Sequence, residues 1–306
     1  MYLAHGEGKT VNPPSYFLTL PALPSSRIIA LPGATERVAG VKWISSWPSN
    51  TASGLPRASG AILLNDLATG YPIACVETSI ISAARTAASA ALAADVLAGS
   101  DRPARVGFIG AGLIARHIHT TLTECGWRFD QVGVHDLVGA SADGFLGYLE
   151  RTEDSGKGKR FDDVGELIRD SDLIVLATVA ATPHLDNPEW FGHHPLVLHV
   201  SLRDLAVDVV LDATNVVDDV DHCLRANTSL HLAEQRVGNR DFVAGTLYDV
   251  LTGKISRDAG RTCVFSPFGL GMLDLALATA IYEELRDAGR LQTVDGFFHE
   301  LDRYGR

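Results

Sequence analysis

The sequence predicts an α/β protein in which a Rossmann-type, doubly wound parallel sheet is joined to a discontinuous, strand-rich second domain. Three observations predict it. An apolar run containing Val106, Phe108 and Ile109 ends in Gly110-Ala-Gly112 and passes straight into a helical pattern; a second apolar strand, 131–135, ends in Asp136; and strands alternate with helices beyond residue 104, after a first hundred residues dominated by strands. The 306 residues suffice for two domains. Residues 1–100, completed by a C-terminal helix within 271–306, are read as the strand-rich domain, and 101–270 as the Rossmann domain.

Residues 1–26 open with a glycine-rich stretch and Pro13-Pro14 and show no complete element, as if a segment were missing upstream. Residues 27–32 and 38–45 read as strands. Alternation within the second puts Lys42 on the face of Gly40 and Ile44, away from Val41 and Trp43. Residues 58–65 and 71–76 flank Asp66-Leu-Ala-Thr-Gly70, a hairpin loop with turn residues. From Ser79 the pattern turns helical. Residues 80–95 are alanine-rich, with a Ser or Thr available as N-cap and Arg85 in the first two turns. Residues 99–103 form a linker. Past the glycine loop, a helix is expected to about Cys125, others near 140–151 and 163–169, and a short strand around Arg160. Strands 173–178 and 195–201 end in small polar residues, among them Thr178 and Ser201, where a doubly wound sheet opens its ligand crevice. A short strand, 215–219, precedes helices at 223–234 and 246–252. Strand 262–266, ending in Ser266, leads through Pro267-Phe-Gly-Leu-Gly271 into a last helix, 272–288.

Composition excludes several functions. A net charge of −11 argues against a nucleic-acid partner. The first hundred residues are nearly neutral, six Lys/Arg against five Asp/Glu, and cations in such apolar surroundings suit an anionic small molecule. Apolar runs are interrupted before the roughly 20 residues of a membrane span, and no charged-then-apolar leader opens the chain, so a cytoplasmic protein with no membrane partner is expected. Cys75, Cys125, Cys223 and Cys263 form no Cys-x-x-Cys pair, which argues against zinc or a disulfide framework. No metal is expected: His193 and His194 lack nearby carboxylates, and His117 and His119 do not share a helix face. His199 reads as a hydrogen-bonded core histidine. Glu77 suits either a substrate amine or a nearby cation.

The glycine loop carries the chemistry. Gly110 permits the tight turn, Gly112 leaves room for a pyrophosphate, and Ala115 allows close packing of helix on strand. The helix starting at Leu113 and Ile114 aims its free N–H groups at that phosphate. Asp136 stands where an acid bonds the adenosine ribose hydroxyls, and its charge would repel a 2′-phosphate; NAD is therefore expected over NADP.

Lys42-Trp-Ile-Ser-Ser, Gly54-Leu-Pro-Arg-Ala-Ser59, Leu64-Asn-Asp-Leu-Ala-Thr-Gly-Tyr-Pro72, Arg85-Thr-Ala-Ala88 and Gly110-Ala-Gly-Leu-Ile resemble the ornithine cyclodeaminase/mu-crystallin family over nearly the whole chain. Arg27-Ile-Ile-Ala, Pro56-Arg-Ala-Ser-Gly60 and Ser201-Leu-Arg-Asp204 are most similar to a narrower branch, the dehydrogenases of N-((2S)-2-amino-2-carboxyethyl)-L-glutamate. The resemblance implies that NAD takes a hydride from the glutamate α-carbon and water attacks the resulting imine. The products are 2-oxoglutarate, L-2,3-diaminopropionate and NADH, and the route serves siderophore or peptide biosynthesis. It further implies that the strand-rich domain binds the substrate and forms a homodimer. On the same resemblance, Arg27, Lys42 and Arg85 are expected to grip the substrate carboxylate, with Lys42 catalytic through proton exchange, and Thr178, Ser201 and Ser266 to line the nicotinamide.

Two departures narrow the substrate. Arg57 stands where cyclodeaminases carry a small Thr, and a guanidinium there suits an additional carboxylate. Leu202 occupies the place of the cyclodeaminase proton-shuttle Asp, which argues against cyclisation, although Asp204 lies two residues on. Competing readings are ornithine or lysine cyclodeamination, reduction of a ketimine or 2-oxo acid, and a non-catalytic, crystallin-like dinucleotide binder.

Overall fold

Alternating side chains over residues 16–77 give strands with two unlike faces, and these pair into an antiparallel meander. The structure, a computed structural model, describes residues 1–153 and 155–298. A short helix, α1 (Tyr2–Gly6), precedes β1 (Tyr16–Leu20), β2 (Leu23–Ala34), β3 (Ala39–Ser46), β4 (Ala58–Asn65) and β5 (Pro72–Glu77), which lie side by side in that order. The sequence suggested no opening element, yet α1 and β1 are both formed. They are too short to show a period, and packing makes them: buried Tyr2 bonds Ser89 Oγ at 3.0 Å, and His5 Nε2 reaches Asp219 at 3.1 Å.

Helix α2 (Ser79–Ala98) buries Ala83, Ala87, Ala90, Ala91, Ala93, Ala94 and Leu97. By length and composition it is apolar enough to cross a bilayer, which corrects the expectation that every apolar run falls short; here it is a core helix packed on its neighbours. Its start also differs from expectation. Thr78 holds the N-cap position without capping, its Oγ1 buried and unpartnered, and Glu77 Oε1 accepts from Ser79 N at 2.6 Å instead.

The second sheet follows from the β–α alternation: β6 (Arg105–Ile109), α3 (Leu113–Glu124), β7 (Gln131–His135), α4 (Gly139–Glu150), β8 (Lys157–Arg160), α5 (Val164–Arg169), β9 (Leu173–Leu176), β10 (Leu196–His199), α6 (Val207–Asp212), β11 (Thr214–Val217), α7 (Val220–Cys223), α8 (Ser229–Val237), β12 (Val243–Thr246), α9 (Leu247–Leu251) and β13 (Cys263–Ser266). Its eight strands are parallel in the order β12-β11-β13-β10-β9-β6-β7-β8. Both faces are buried, Phe108, Val134 and Phe265 on one side and Ile174, Val197 and Val264 on the other, as a doubly wound sheet requires. The helix expected over 223–234 is broken in two, because Ala226 and Asn227 adopt φ of 54° and 51° and Thr228 caps a fresh start. Helix α6 and strand β12 were not anticipated, being too short to show a pattern.

The last helix, α10 (Gly271–Asp287), returns to the first sheet, where Leu275 and Ala278 pack with Ile62, Leu64 and Ile81. The helix assigned to 271–306 thus ends at Asp287, and residues 299–306 lie outside the described residues.

Candidate active site

The carboxyl ends of the parallel strands carry the glycine loop. Gly110 has φ +90°, and a Cβ there would lie 2.5 Å from the Ala177 carbonyl oxygen, so only glycine allows β6 to turn beside β9. At Gly112 a Cβ would meet nothing within 4 Å. Open space therefore stands before the first turn of α3, where a dinucleotide pyrophosphate is received. Asp136 accepts from Ala111 N and Val138 N, each at 2.8 Å, which fixes the carboxylate beside the loop with lone pairs left for ribose hydroxyls. Leu113 is exposed at the loop rim, followed by half-buried Ile114. These residues fit NAD.

Thr178, Ser201 and Ser266, read from sequence as three separate strand ends, are tied into one network. Asp204, fully buried, accepts from Thr178 Oγ1 and Ser201 Oγ and contacts His184 Nε2 at 3.1 Å and His199 Nε2 at 3.3 Å. His199 Nδ1 continues to Ser266 Oγ at 3.1 Å, so this histidine is the hydrogen-bonded core residue expected. Burial alone would raise the Asp204 carboxyl; the histidine and serine hydrogen bonds overrule it and hold the group well below the usual carboxylate range. Asp204 is an anchor for its neighbours, not an exposed acid.

The cations come from the first sheet and α2. Lys42, on the face of Gly40 and Ile44 as alternation predicts, is 2% exposed and points inward, and its Nζ lies 2.8 Å from Asp274 Oδ2 and 3.4 Å from Ser82 Oγ. Arg85 Nε donates to the other oxygen, Oδ1, at 3.1 Å. Its terminal nitrogens lie against Gly269, where a Cβ would come within 2.7 Å, so α2 meets the β13–α10 segment here. Burial pushes the Lys42 ammonium down to about 8, Asp274 opposing this and Arg85 adding to it. Two cations on one carboxylate leave the triad one positive charge in excess when Lys42 is protonated.

Arg27 and Arg57 belong to the same face, further along it. In the strand register Arg27 pairs with Ser46 and Leu31 with Lys42, and Arg57 Nη1 donates to Ser46 Oγ at 2.7 Å. Along β2, four residues, roughly 13 Å of backbone, separate Arg27 from Leu31, the register partner of Lys42. Burial, then the Arg27 guanidinium, disfavours charge on Arg57. The structure therefore brings Lys42 to Arg85 and Arg57 to Arg27 as two centres on one inward face. Glu77 joins neither, being spent on the start of α2. No group of three metal-ligating side chains occurs among the described residues.

Sequence reasoning missed Asp274 and Gly269. Asp274 had a signal: a lone carboxylate in Met272-Leu-Asp-Leu-Ala-Leu277 must be buried with the helix face and must find a cation. Gly269 had none, since its role exists only once Arg85 arrives.

Residues 3–289 match the ornithine cyclodeaminase/mu-crystallin family. The chain is 28% identical over 273 residues to N-((2S)-2-amino-2-carboxyethyl)-L-glutamate dehydrogenase of Staphylococcus aureus, covering 85% of this chain and 79% of that one. It is 28% identical over 284 residues to alanine dehydrogenase of Archaeoglobus fulgidus, covering 90% and 85%. Among solved structures it superposes on Δ1-pyrroline-2-carboxylate reductase of Thermococcus litoralis, in complex with NADH and L-proline, with a TM-score of 0.87 and 26% identity over 96% of this chain and 92% of that one.

Proposed function

The chain belongs to the ornithine cyclodeaminase/mu-crystallin family, and we propose, on its dehydrogenase relatives, that it is an NAD-dependent amino-acid dehydrogenase whose substrate is N-((2S)-2-amino-2-carboxyethyl)-L-glutamate. The products are L-2,3-diaminopropionate, 2-oxoglutarate and NADH, made for siderophore or peptide natural products. One observation carries the choice of substrate: the inward face holds two separate cationic centres, Lys42 with Arg85 and Arg27 with Arg57, at strand positions four residues apart. An amino acid with one carboxylate satisfies one centre; a tricarboxylate spanning the face satisfies both.

In this reading Gly110, Gly112, Leu113, Ile114 and Asp136 hold the cofactor, and Thr178, Ser201 and Ser266 shape the nicotinamide end. Bound NAD supplies the hydride acceptor. Arg85, steered by Asp274, grips the carboxylate beside the reacting carbon, and Lys42 Nζ takes a proton from the substrate amine or the attacking water. A pKa near 8 suits that exchange. Arg27 and Arg57 receive the remote carboxylates. Residues 1–100 with α10 make the substrate-binding and dimerisation domain, and 101–270 the NAD domain. The homodimer is supported by the outward face of the first sheet, where Tyr16, Leu18, Trp43, Leu63 and Ile73 are each more than 40% exposed.

The test is NADH absorbance with purified protein, NAD and synthetic carboxyethyl-glutamate. NADH is expected with this substrate, and Lys42→Ala should lower its production by roughly 100-fold or more while NAD binding persists. Normal turnover in that variant removes Lys42 from the mechanism. Ammonia release without accumulated NADH identifies a cyclodeaminase, and tight NAD binding with no turnover of any amino acid identifies a binder.

A further inference from the structure

We propose that Arg203, on the loop after β10, is a third substrate-contacting guanidinium that joins Arg27 and Arg57 in receiving the remote carboxylates and so selects amino acids with a carboxylate-bearing arm. The inference rests on the crevice being the dehydrogenase site. It adds a specificity-determining residue supplied by the Rossmann half.

The loop that carries Arg203 is fixed on both sides. Ser201 and Asp204 are locked into the Thr178–His199 network. Between them Leu202 sits at φ +75°, a conformation that costs a side-chain-bearing residue energy and persists only when its surroundings enforce it. The enforcement comes from residues 226–229: Ser229 N donates to Leu202 O at 2.8 Å, and Arg203 Nη2 donates to Ala226 O at 2.7 Å. That segment is tied to the start of the first sheet, because Arg225 Nη2 donates to Ser15 O at 3.1 Å and Tyr16 opens β1. A strained turn held from two directions places the guanidinium reproducibly.

Its neighbours lack a counter-ion. Arg27 makes no hydrogen bond or ion pair among the described residues, and its Nε is buried without a partner. Arg57 has only the Ser46 hydroxyl and Arg203 only a carbonyl. Charge on Arg203 is disfavoured by burial and then by Arg27, with Asp204 opposing them; burial and Arg27 also act on Arg57, so Arg27 stands within electrostatic range of both. Asp204 is the nearest acid in sequence, and its oxygens are turned to Thr178, Ser201 and two histidines. Elsewhere in the chain Arg105, Arg160 and Arg240 each find a carboxylate. Three half-buried guanidinium groups, none of them in an ion pair among the described residues, are costly unless an anion completes them, and their forked donors match carboxylates.

The test compares 2-oxoglutarate with pyruvate, which differ by one carboxyl-bearing arm, as ligands of the NADH-bound protein by calorimetry. Wild type should bind 2-oxoglutarate more tightly. Arg203→Ala should remove roughly tenfold or more of that preference, with pyruvate and NADH affinities unchanged within about twofold, and Arg203→Lys should restore part of it. Absence of a preference in wild type, an unchanged ratio in Arg203→Ala, or equal loss for both ligands and NADH overturns the proposal. Should the alanine variant fail to fold, the ratio in Arg203→Lys decides: it must fall between wild type and no preference. A dicarboxylate preference lost with Arg203, in a protein that makes no NADH from carboxyethyl-glutamate, sinks the proposed reaction and leaves this residue's role intact.

Discussion

Asp274 decides how Lys42 behaves. Burial, opposed by Asp274, leaves the lysine at about 8, while the cations hold the aspartate itself low against the effect of its own burial. Oxidation needs the neutral amine, so kcat/KM should rise with pH through about 8 in wild type. Asp274→Asn removes the group that favours the ammonium, and the limb should move roughly one unit or more toward acid in a pH–rate profile. An unmoved limb would show that another group titrates. The same depressed pKa has a stability consequence. Unfolded lysine titrates near 10.5, so between about 8 and 10.5 the unfolded chain binds the additional proton and this group's penalty on folding is relieved as pH rises.

At the scale of elements, the glycine loop separates folding from binding within three residues. At Gly112 a Cβ meets no neighbour and φ is −78°, so the fold should tolerate Gly112→Val, with a melting temperature within a few degrees of wild type and NAD affinity reduced roughly tenfold or more. Gly110→Ala combines φ +90° with a Cβ 2.5 Å from Ala177 O and should cost stability itself, about 2 kcal/mol or more by denaturant titration. Equal loss of NAD affinity and stability in both variants would remove the distinction. Helix α10 plays a different part: it covers the first sheet with Leu275 and Ala278 and delivers Asp274 to Lys42 from its first turn.

For the whole molecule, the first sheet uses its two faces for different ends. Lys42, Ile62 and Leu64 point inward under α2 and α10, whereas the register lines up Tyr16, Ala30, Trp43 and Ala61 on the other side, beside Leu63 and Cys75. If the proposed dimer forms through this outward face, Leu63→Asp should convert it to a monomer in light scattering, because a charge would then be buried between the sheets; a wild-type monomer would sink the proposal. The parallel sheet, the glycine loop, Asp136 and the face that Lys42 shares with Gly40 and Ile44 were legible in the sequence, since each depends on periodicity or turn chemistry within a few residues; that this face is the inward one was not. The breaks at Ala226 and Asn227, the idle hydroxyl of Thr78 and the formation of α1 and β1 were not, because contacts distant in sequence produce them. The same division runs through the site. The sequence alone determined which residues carry charge and which face of a strand they occupy. Only the tertiary structure decided their partners: Asp274 meets Lys42 across 232 residues and Arg85 across 189, and Asp204 gathers Thr178 and His199. Periodicity is a short-range property of the chain, whereas a buried charge takes as its partner whatever the packing of strands and helices places within hydrogen-bonding reach.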